Sequence, residues 1–399
     1  MGKKNEVMNI CMIGCWYKKD MYSHHLNNLI EVLDKQPDIN LRLITSNCGC
    51  YSGAHRYSIG KEESLNSQCI AVKIPCASPS PSKLSGKFKY QVAKKLKLNW
   101  ILDAMLETLR GIQFYRRARK CDVLHFDQVL RSFGISSLIT LLFLARISGK
   151  KVIVTVHELD PLQEKFKGLN KYYSRASKVI VFSNGFRDKL INLGVNPEKI
   201  KIIPFCAALE PITGLQRNQF IFFGGHKLLK GKGFDTLLGA LKIIQAKGQE
   251  AKLFIYTGHG CNGLEEGKQM ASDMGLDEFI NWSEFIYGTN LANEYQKSIA
   301  CLIPYTGGSG RHAVTHAMAN ATPVIATKKA DLPEYLGESG IYIKENSAQE
   351  LADAMEFLKN NPDIVKSLGS ELRELAEKTF SKDIIGKELL KLYKETNAL

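Results

Sequence analysis

Residues 302–343 read LIPYTGGSGRHAVTHAMANATPVIATKKADLPEYLGESGIYI. An apolar run ends at Pro304 and opens into a loop containing Gly307, Gly308 and Gly310. The spacing predicts a helix over 312–320, a second apolar strand at 323–326 and a polar turn ending at Glu334. Strand, glycine loop, helix, strand is the order of a βαβ unit. A loop of this kind brings backbone N–H groups and a helix N-terminus up to a phosphate, because glycine has no side chain in the way. A second, weaker turn of the same type lies at 222–238, FFGGHKLLKGKGFDTLL, with Gly224, Gly225, Lys227, Lys230 and Lys232. Each turn alone also fits an ordinary tight connection in an α/β domain. Two in one half of a chain suggest a ligand with a diphosphate.

Working outward, short apolar runs recur at 9–15, 41–45, 123–126, 151–156, 178–182 and 201–204, separated by segments of helical character. The alternation restarts at 219–223 and continues through 252–256, 300–304 and 324–326. This is the pattern of parallel βαβ units. A chain of 399 residues is long for one core, so two doubly wound α/β domains are expected, joined near 205–218. Residues 348–395 carry a helical apolar period.

Ten cysteines are scattered without a CxxC pair, which points to neither a metal site nor a disulfide framework and fits a reducing, cytosolic setting. The first residues lack the apolar core of a signal peptide. The longest apolar run, 138–145, is too short to span a bilayer. The formal net charge of +14 is unevenly placed: residues 1–200 hold 32 Lys and Arg against 16 Asp and Glu, the rest 22 against 24. It concentrates at 83–120, where Lys87, Lys89, Lys94, Lys95 and Lys97 interleave with Phe88, Tyr90, Leu96, Leu98 and Trp100. This suits an anionic membrane surface. A solvated helix face gives the same composition. Nucleic acid is not expected, because no recognised nucleic-acid module accompanies the charge.

The two glycine turns resemble the donor half of retaining glycosyltransferases of family 4 (glycosyl transferases group 1), which have the GT-B fold. The family's first turn runs Gly-Arg, then Lys-Gly-x-Asp-x-Leu. Here residues 232–237, KGFDTL, match its second part and Lys227 stands where the Arg is expected. In the second turn Ala317-Met318-Ala319 and residues 323–326, PVIA, match. The family's two glutamates are absent: Gly308 and His316 occupy their places. The resemblance implies two Rossmann-like domains facing across a cleft: an acceptor-binding domain over 1–206, a nucleotide-sugar-binding domain over 207–380 and a terminal helix, 381–399, packing back on the first.

It also implies site residues. Lys227 and Lys232 would stabilise the charge of a departing diphosphate, with Gly224 and Gly225 beside them. Ser309, Gly310, Arg311 and His312 would form an anion site at a helix start, with Arg311 adding a bidentate contact or meeting an acidic sugar. His316 could bond a ribose hydroxyl. Phe285 falls where the family holds the base, although an aromatic in 282–285 also suits core packing. Glu334 matches a common family glutamate. His157, beyond the strand at 151–156, would orient the sugar, or be a satisfied structural histidine. Gly14 ends the first strand on the acceptor side. The implied activity is metal-independent sugar transfer with retention from a nucleotide-diphosphate-sugar co-substrate, with no resident cofactor, to a glycan or polyprenyl-diphosphate-linked acceptor. The expected setting is bacterial surface polysaccharide biosynthesis, in the cytoplasm or on the inner face of the membrane. The missing glutamates keep open a catalytically silent GT-B protein that binds glycan or stabilises a partner.

Overall fold

The computed structural model describes residues 7–14, 21–46, 68–72, 99–127, 135–157, 173–284 and 286–398. Seven strands form the first sheet: β1 (Met8–Gly14), β2 (Ile39–Ser46), β3 (Gln68–Val72), β4 (Val123–Asp127), β5 (Lys151–Thr155), β6 (Lys178–Val181) and β7 (Ile200–Ile202). All pairings are parallel, in the order β3-β2-β1-β4-β5-β6-β7. Six strands form the second: β8 (Gln219–Lys227), β9 (Leu253–Asn262), β10 (Ile280–Glu284), β11 (Ser298–Ile303), β12 (Val324–Thr327) and β13 (Ile341–Ile343). Their order is β10-β9-β8-β11-β12-β13, again all parallel. Both are doubly wound Rossmann orders. Each has one point where the winding reverses, between β1 and β4 and between β8 and β11, and the crevice there is where such sheets bind ligands.

The apolar runs become strands because a parallel sheet is covered on both faces and takes continuous rather than alternating hydrophobicity. β4 and β11 are buried along their whole length. β3 and β13 are not among the strands expected from the sequence. β13 has three residues, two of them half-buried, and both lie at sheet edges, where the apolar signal weakens.

The helix Lys382–Ala398 belongs to the first domain's core. Ala207 N donates to the Phe380 carbonyl at 2.8 Å, and Ala207 bridges Ser381 in parallel register, so the crossing runs alongside the link between the sheets. Ile385, Leu389, Leu392 and Tyr393 then pack with Ile10, Met12, Leu29 and Leu33. A side chain at Gly386 would collide with Val32, so the helix approaches its neighbour Met21–Asp34 closely. Lys382 pairs with Glu31 at 2.8 Å and Lys394 with Asp38 at 2.6 Å.

One polar thread runs through this apolar contact. His125 on β4 bonds the Tyr393 hydroxyl through Nδ1 at 2.6 Å and the Thr155 hydroxyl through Nε2 at 2.7 Å. Burial pulls its pKa down to about 4. The unfolded chain therefore binds a further proton between about pH 4 and pH 6.5. The contribution is fully present above about pH 6.5 and is lost as pH falls toward 4, up to about 3 kcal/mol. Urea midpoints should fall with pH across this interval, and less steeply in His125→Asn. Parallel curves for the two proteins would refute the assignment.

Candidate active site

The end of β8 and the loop after it carry glycines in the left-handed region, where a side chain would be strained. Gly225 has φ +68° and Gly231 φ +74°. Gly233, φ +66°, begins the helix Phe234–Ala246, and a Cβ there would overlap the Pro304 carbonyl oxygen. The second loop, 304–310, leaves β11, the strand beside β8. The Gly231 carbonyl accepts from Thr306 N at 3.2 Å and Gly307 N at 3.0 Å. The two glycine turns are thus one bonded unit at the switch point of the second sheet.

Lys232 projects into this unit. Its ammonium lies 3.9 Å from the Tyr305 ring centroid and 5.4 Å from that of Phe223. Tyr305 is held in turn by its hydroxyl, which donates to the Phe223 carbonyl at 2.6 Å. A cation seated over an aromatic face keeps its charge while losing part of its water. Gly310, φ +66°, starts the helix Arg311–Ala319, and no side chain caps that end. Its first-turn N–H groups and the positive end of the helix dipole lie beside Lys232's loop. Ser309 is half-buried there. His312 is buried between Phe205, 5.1 Å away, and His316, on which it stacks at 5.5 Å; His316 stacks further on Tyr295 at 5.7 Å. Lys227 ends β8 as an exposed residue.

His157 lies across the domain interface, two residues past β5. Its Nε2 bonds the Asp127 carboxylate at 2.7 Å, with both side chains buried. Its ring packs edge-on to Phe182 at 4.7 Å. The bond to Asp127 fixes the orientation of the imidazole ring at the end of the strand.

Two expectations need correction. Arg311 is not presented to a phosphate or sugar. Its guanidinium is buried, pairs with Asp331, donates to the His157 carbonyl and lies over the Phe182 ring at 4.9 Å. Asp331 also accepts from the Ser183 hydroxyl at 2.7 Å. Glu334, in the short helix Leu332–Leu336, spends its carboxylate on the first domain: it accepts from Asn184 N at 2.7 Å, Asn184 Nδ2 at 2.9 Å and Gly185 N at 2.9 Å. It is a cap supplied across the interface to the helix Asn184–Asn192. Both residues join the domains.

The structure describes only some of the remaining expected positions. Gly14 ends β1 opposite Thr45. Trp282 on β10 packs on Phe234 at 6.1 Å, as core packing requires. Phe285 and the lysines at 87, 89, 94, 95 and 97 lie outside the described residues. Sequence reasoning missed Asp127, Tyr305 and Asp331. Asp127 closes the apolar run VLHFD, so the logic that found His157, a polar residue at the end of a buried parallel strand, applied to it equally.

Two Rossmann-like domains, a phosphate-type double turn in the second and a terminal helix returning to the first define a GT-B protein. Residues 217–361 match the family described as Glycosyl transferases group 1, and residues 52–207 match Glycosyltransferase Family 4. The chain belongs to the family 4-like GT-B glycosyltransferases. It is 24% identical over 250 residues to an MMP alpha-(1->4)-mannosyltransferase of Mycolicibacterium hassiacum, covering 60% of each chain. It is 24% identical over 237 residues to the capsular polysaccharide biosynthesis glycosyltransferase CapM of Staphylococcus aureus, covering 55% of this chain and 61% of the relative. The chain thus spans about three fifths of the length of these curated relatives. Among solved structures, Anabaena HepE in complex with UDP and glucose superposes with a TM-score of 0.70 at 14% identity, over 97% of this chain and 100% of that one.

Gly233→Ala should separate backbone strain from steric closure. Gly248 has a similar φ of +69° with nothing near its missing side chain. Gly248→Ala should cost about 1 kcal/mol, and Gly233→Ala clearly more because Pro304 must also move. Chemical denaturation of both variants tests this; equal losses would mean the two loops do not constrain each other.

Proposed function

We propose that the protein moves a sugar from a nucleotide-diphosphate-sugar donor to a hydroxyl of a glycan or polyprenyl-diphosphate-linked acceptor, with retention of anomeric configuration. The donor binds the half comprising 207–380, and the acceptor binds 1–206 completed by 381–399. The observation that carries this reading is the Lys232 ammonium over Tyr305, inside the paired glycine turns and beside an uncapped helix start. A cation in such a turn suits the charge of a diphosphate.

In this reading the bond between the anomeric carbon and the β-phosphate oxygen breaks with its electron pair left on the nucleoside diphosphate. Lys232, with Lys227 at the rim and the helix N-terminus, stabilises that charge without a divalent ion. The acceptor oxygen attacks from the face the diphosphate leaves, and the phosphate oxygen takes its proton. His157, held by Asp127, orients the sugar. The packed interface keeps water from the donor. CapM supports a role in capsular-type polysaccharide biosynthesis, the mannosyltransferase supports sugar transfer, and HepE, solved with UDP and glucose, supports a nucleotide-sugar donor. Such a reaction draws on cytoplasmic nucleotide sugars and acts at the inner face of the membrane. Among the described residues no helix is long and apolar enough to cross it.

A silent, glycan-binding protein is the second reading. It is favoured by Gly308, at φ +80°, and stacked His316 standing where relatives resembling this chain have carboxylates. A thermal-shift series over nucleotide sugars, followed by nucleotide-release assays, divides the two. A donor present at about a hundred times its Kd adds about 2.7 kcal/mol to apparent stability. Stabilisation without release in the presence of acceptors would favour the silent reading.

Lys232→Ala should weaken both donor binding and turnover while the fold holds. His157→Ala should cut turnover at least about tenfold, a change of about 1.4 kcal/mol in barrier, and leave nucleotide affinity nearly unchanged. Asp127→Asn should fall between wild type and His157→Ala. Turnover within about twofold of wild type in both variants, about 0.4 kcal/mol, would make the pair structural.

A further inference from the structure

Eleven large apolar side chains are exposed among the described residues, and six of them lie on two neighbouring helices of the first domain. Helix Asn99–Ala118 exposes Met105, Leu109 and Ile112 at 60%, 54% and 36%. Helix Ile135–Ile147 exposes Ile139, Phe143 and Ile147 at 37%, 62% and 65%. The spacings, i, i+4, i+7 and i, i+4, i+8, put each set on one stripe. Buried Phe114 and Ala118, and buried Leu141, Leu142 and Ala145, lie on the opposite sides. The helices pack directly on each other: a Cβ at Gly111 would overlap the Ser137 carbonyl. The stripes therefore run side by side on the solvent side.

This is an unusual outer face. The sequence ISSLITLLFLARI is apolar around most of its circumference, as expected of a helix covered on all sides, yet its two most exposed large residues are Phe143 and Ile147. The same stripes end in cations. Arg116 follows Leu109 by seven and Ile112 by four, Arg119 follows Ile112 by seven, and Arg146 follows Phe143 by three; all three are exposed. Ile135–Ile147 contains no acidic residue.

We infer that this two-helix face seats the protein on an anionic lipid leaflet, with Phe143, Ile147, Met105 and Leu109 entering the headgroup–acyl boundary and Arg116, Arg119 and Arg146 meeting lipid phosphates. Large apolar side chains flanked by Arg on one face are the chemistry of interfacial helices. A second copy of the chain is a poorer occupant, because the arginines of two identical faces would be brought together. The inference deepens the inner-membrane setting proposed above and uses no step of the transfer reaction.

The test is sedimentation of the full chain with vesicles of phosphatidylcholine alone and of phosphatidylcholine with phosphatidylglycerol. Wild type should pellet with the mixed vesicles, and less as salt rises. Phe143→Ser combined with Ile147→Ser should weaken partition at least about tenfold, and Arg116→Gln and Arg119→Gln about fivefold each. Both apolar positions are exposed, so melting should hold, and transfer to a soluble acceptor should be unchanged. In Phe143→Trp, brominated lipid tails should quench more fluorescence than in wild type. Pelleting that ignores lipid charge, equal pelleting of wild type and the double serine variant, or a wild-type dimer that this variant dissociates would each overturn the inference. A protein that binds vesicles but transfers nothing would leave it standing and remove only the catalytic reading.

Discussion

The contact between Gly233 and the Pro304 carbonyl is the constraint on which the second domain's ligand crevice rests. In a Rossmann sheet the switch point opens a gap because successive helices leave to opposite faces. Here that gap is closed from below by backbone alone. Gly231 gives its carbonyl to two N–H groups of the neighbouring loop, and Gly233 lets the helix behind it start against β11. The result fixes where Lys232 emerges and where the Arg311 helix begins. Charge is then placed by rigid main chain, which costs little reorganisation when a polyanion arrives.

The domains are joined by a different kind of interaction. Arg311, on the first turn of the phosphate-type helix, reaches the carbonyl of His157 on the other domain and is neutralised by Asp331. A buried ion pair contributes little net stability, because desolvation offsets most of the attraction, and losing one partner is costly. Its value lies in geometry. Ser183, Glu334 and the Tyr335 hydroxyl, which accepts from Phe205 N at 2.8 Å, add directional bonds around it. The residue that starts the helix Arg311–Ala319 therefore also holds the backbone at His157.

How much of this was legible from the sequence depended on range. Buried strands announce themselves because parallel sheets need unbroken apolar runs, so most of the strands and the double turn could be read locally. Short edge strands such as β13 carry too few apolar residues to stand out. Arg311 and Glu334 were placed near the ligand because both sit in motifs that resemble ligand-binding ones. Their actual partners, Asp331, His157 and Asn184, are chosen by the docking of two domains, and no periodicity encodes that. Lys232 was legible because it opens KGFDTL, the stretch that resembles the family's first glycine turn.

The helix Lys382–Ala398 fills a core it shares with Ile10, Leu29 and Leu33 near the start of the chain and with Val123, Ile153, Ile180 and Ile203 further along, and Tyr393 completes a bond to His125 beside it. The second domain needs no comparable contribution from such a distance. A chain emerging from the ribosome could therefore bury the 219–375 core while the earlier-made domain still had an apolar side without its cover. The half made first would then be the half finished last, with Ile10, Leu29 and Leu33 uncovered for as long as translation of the second domain takes.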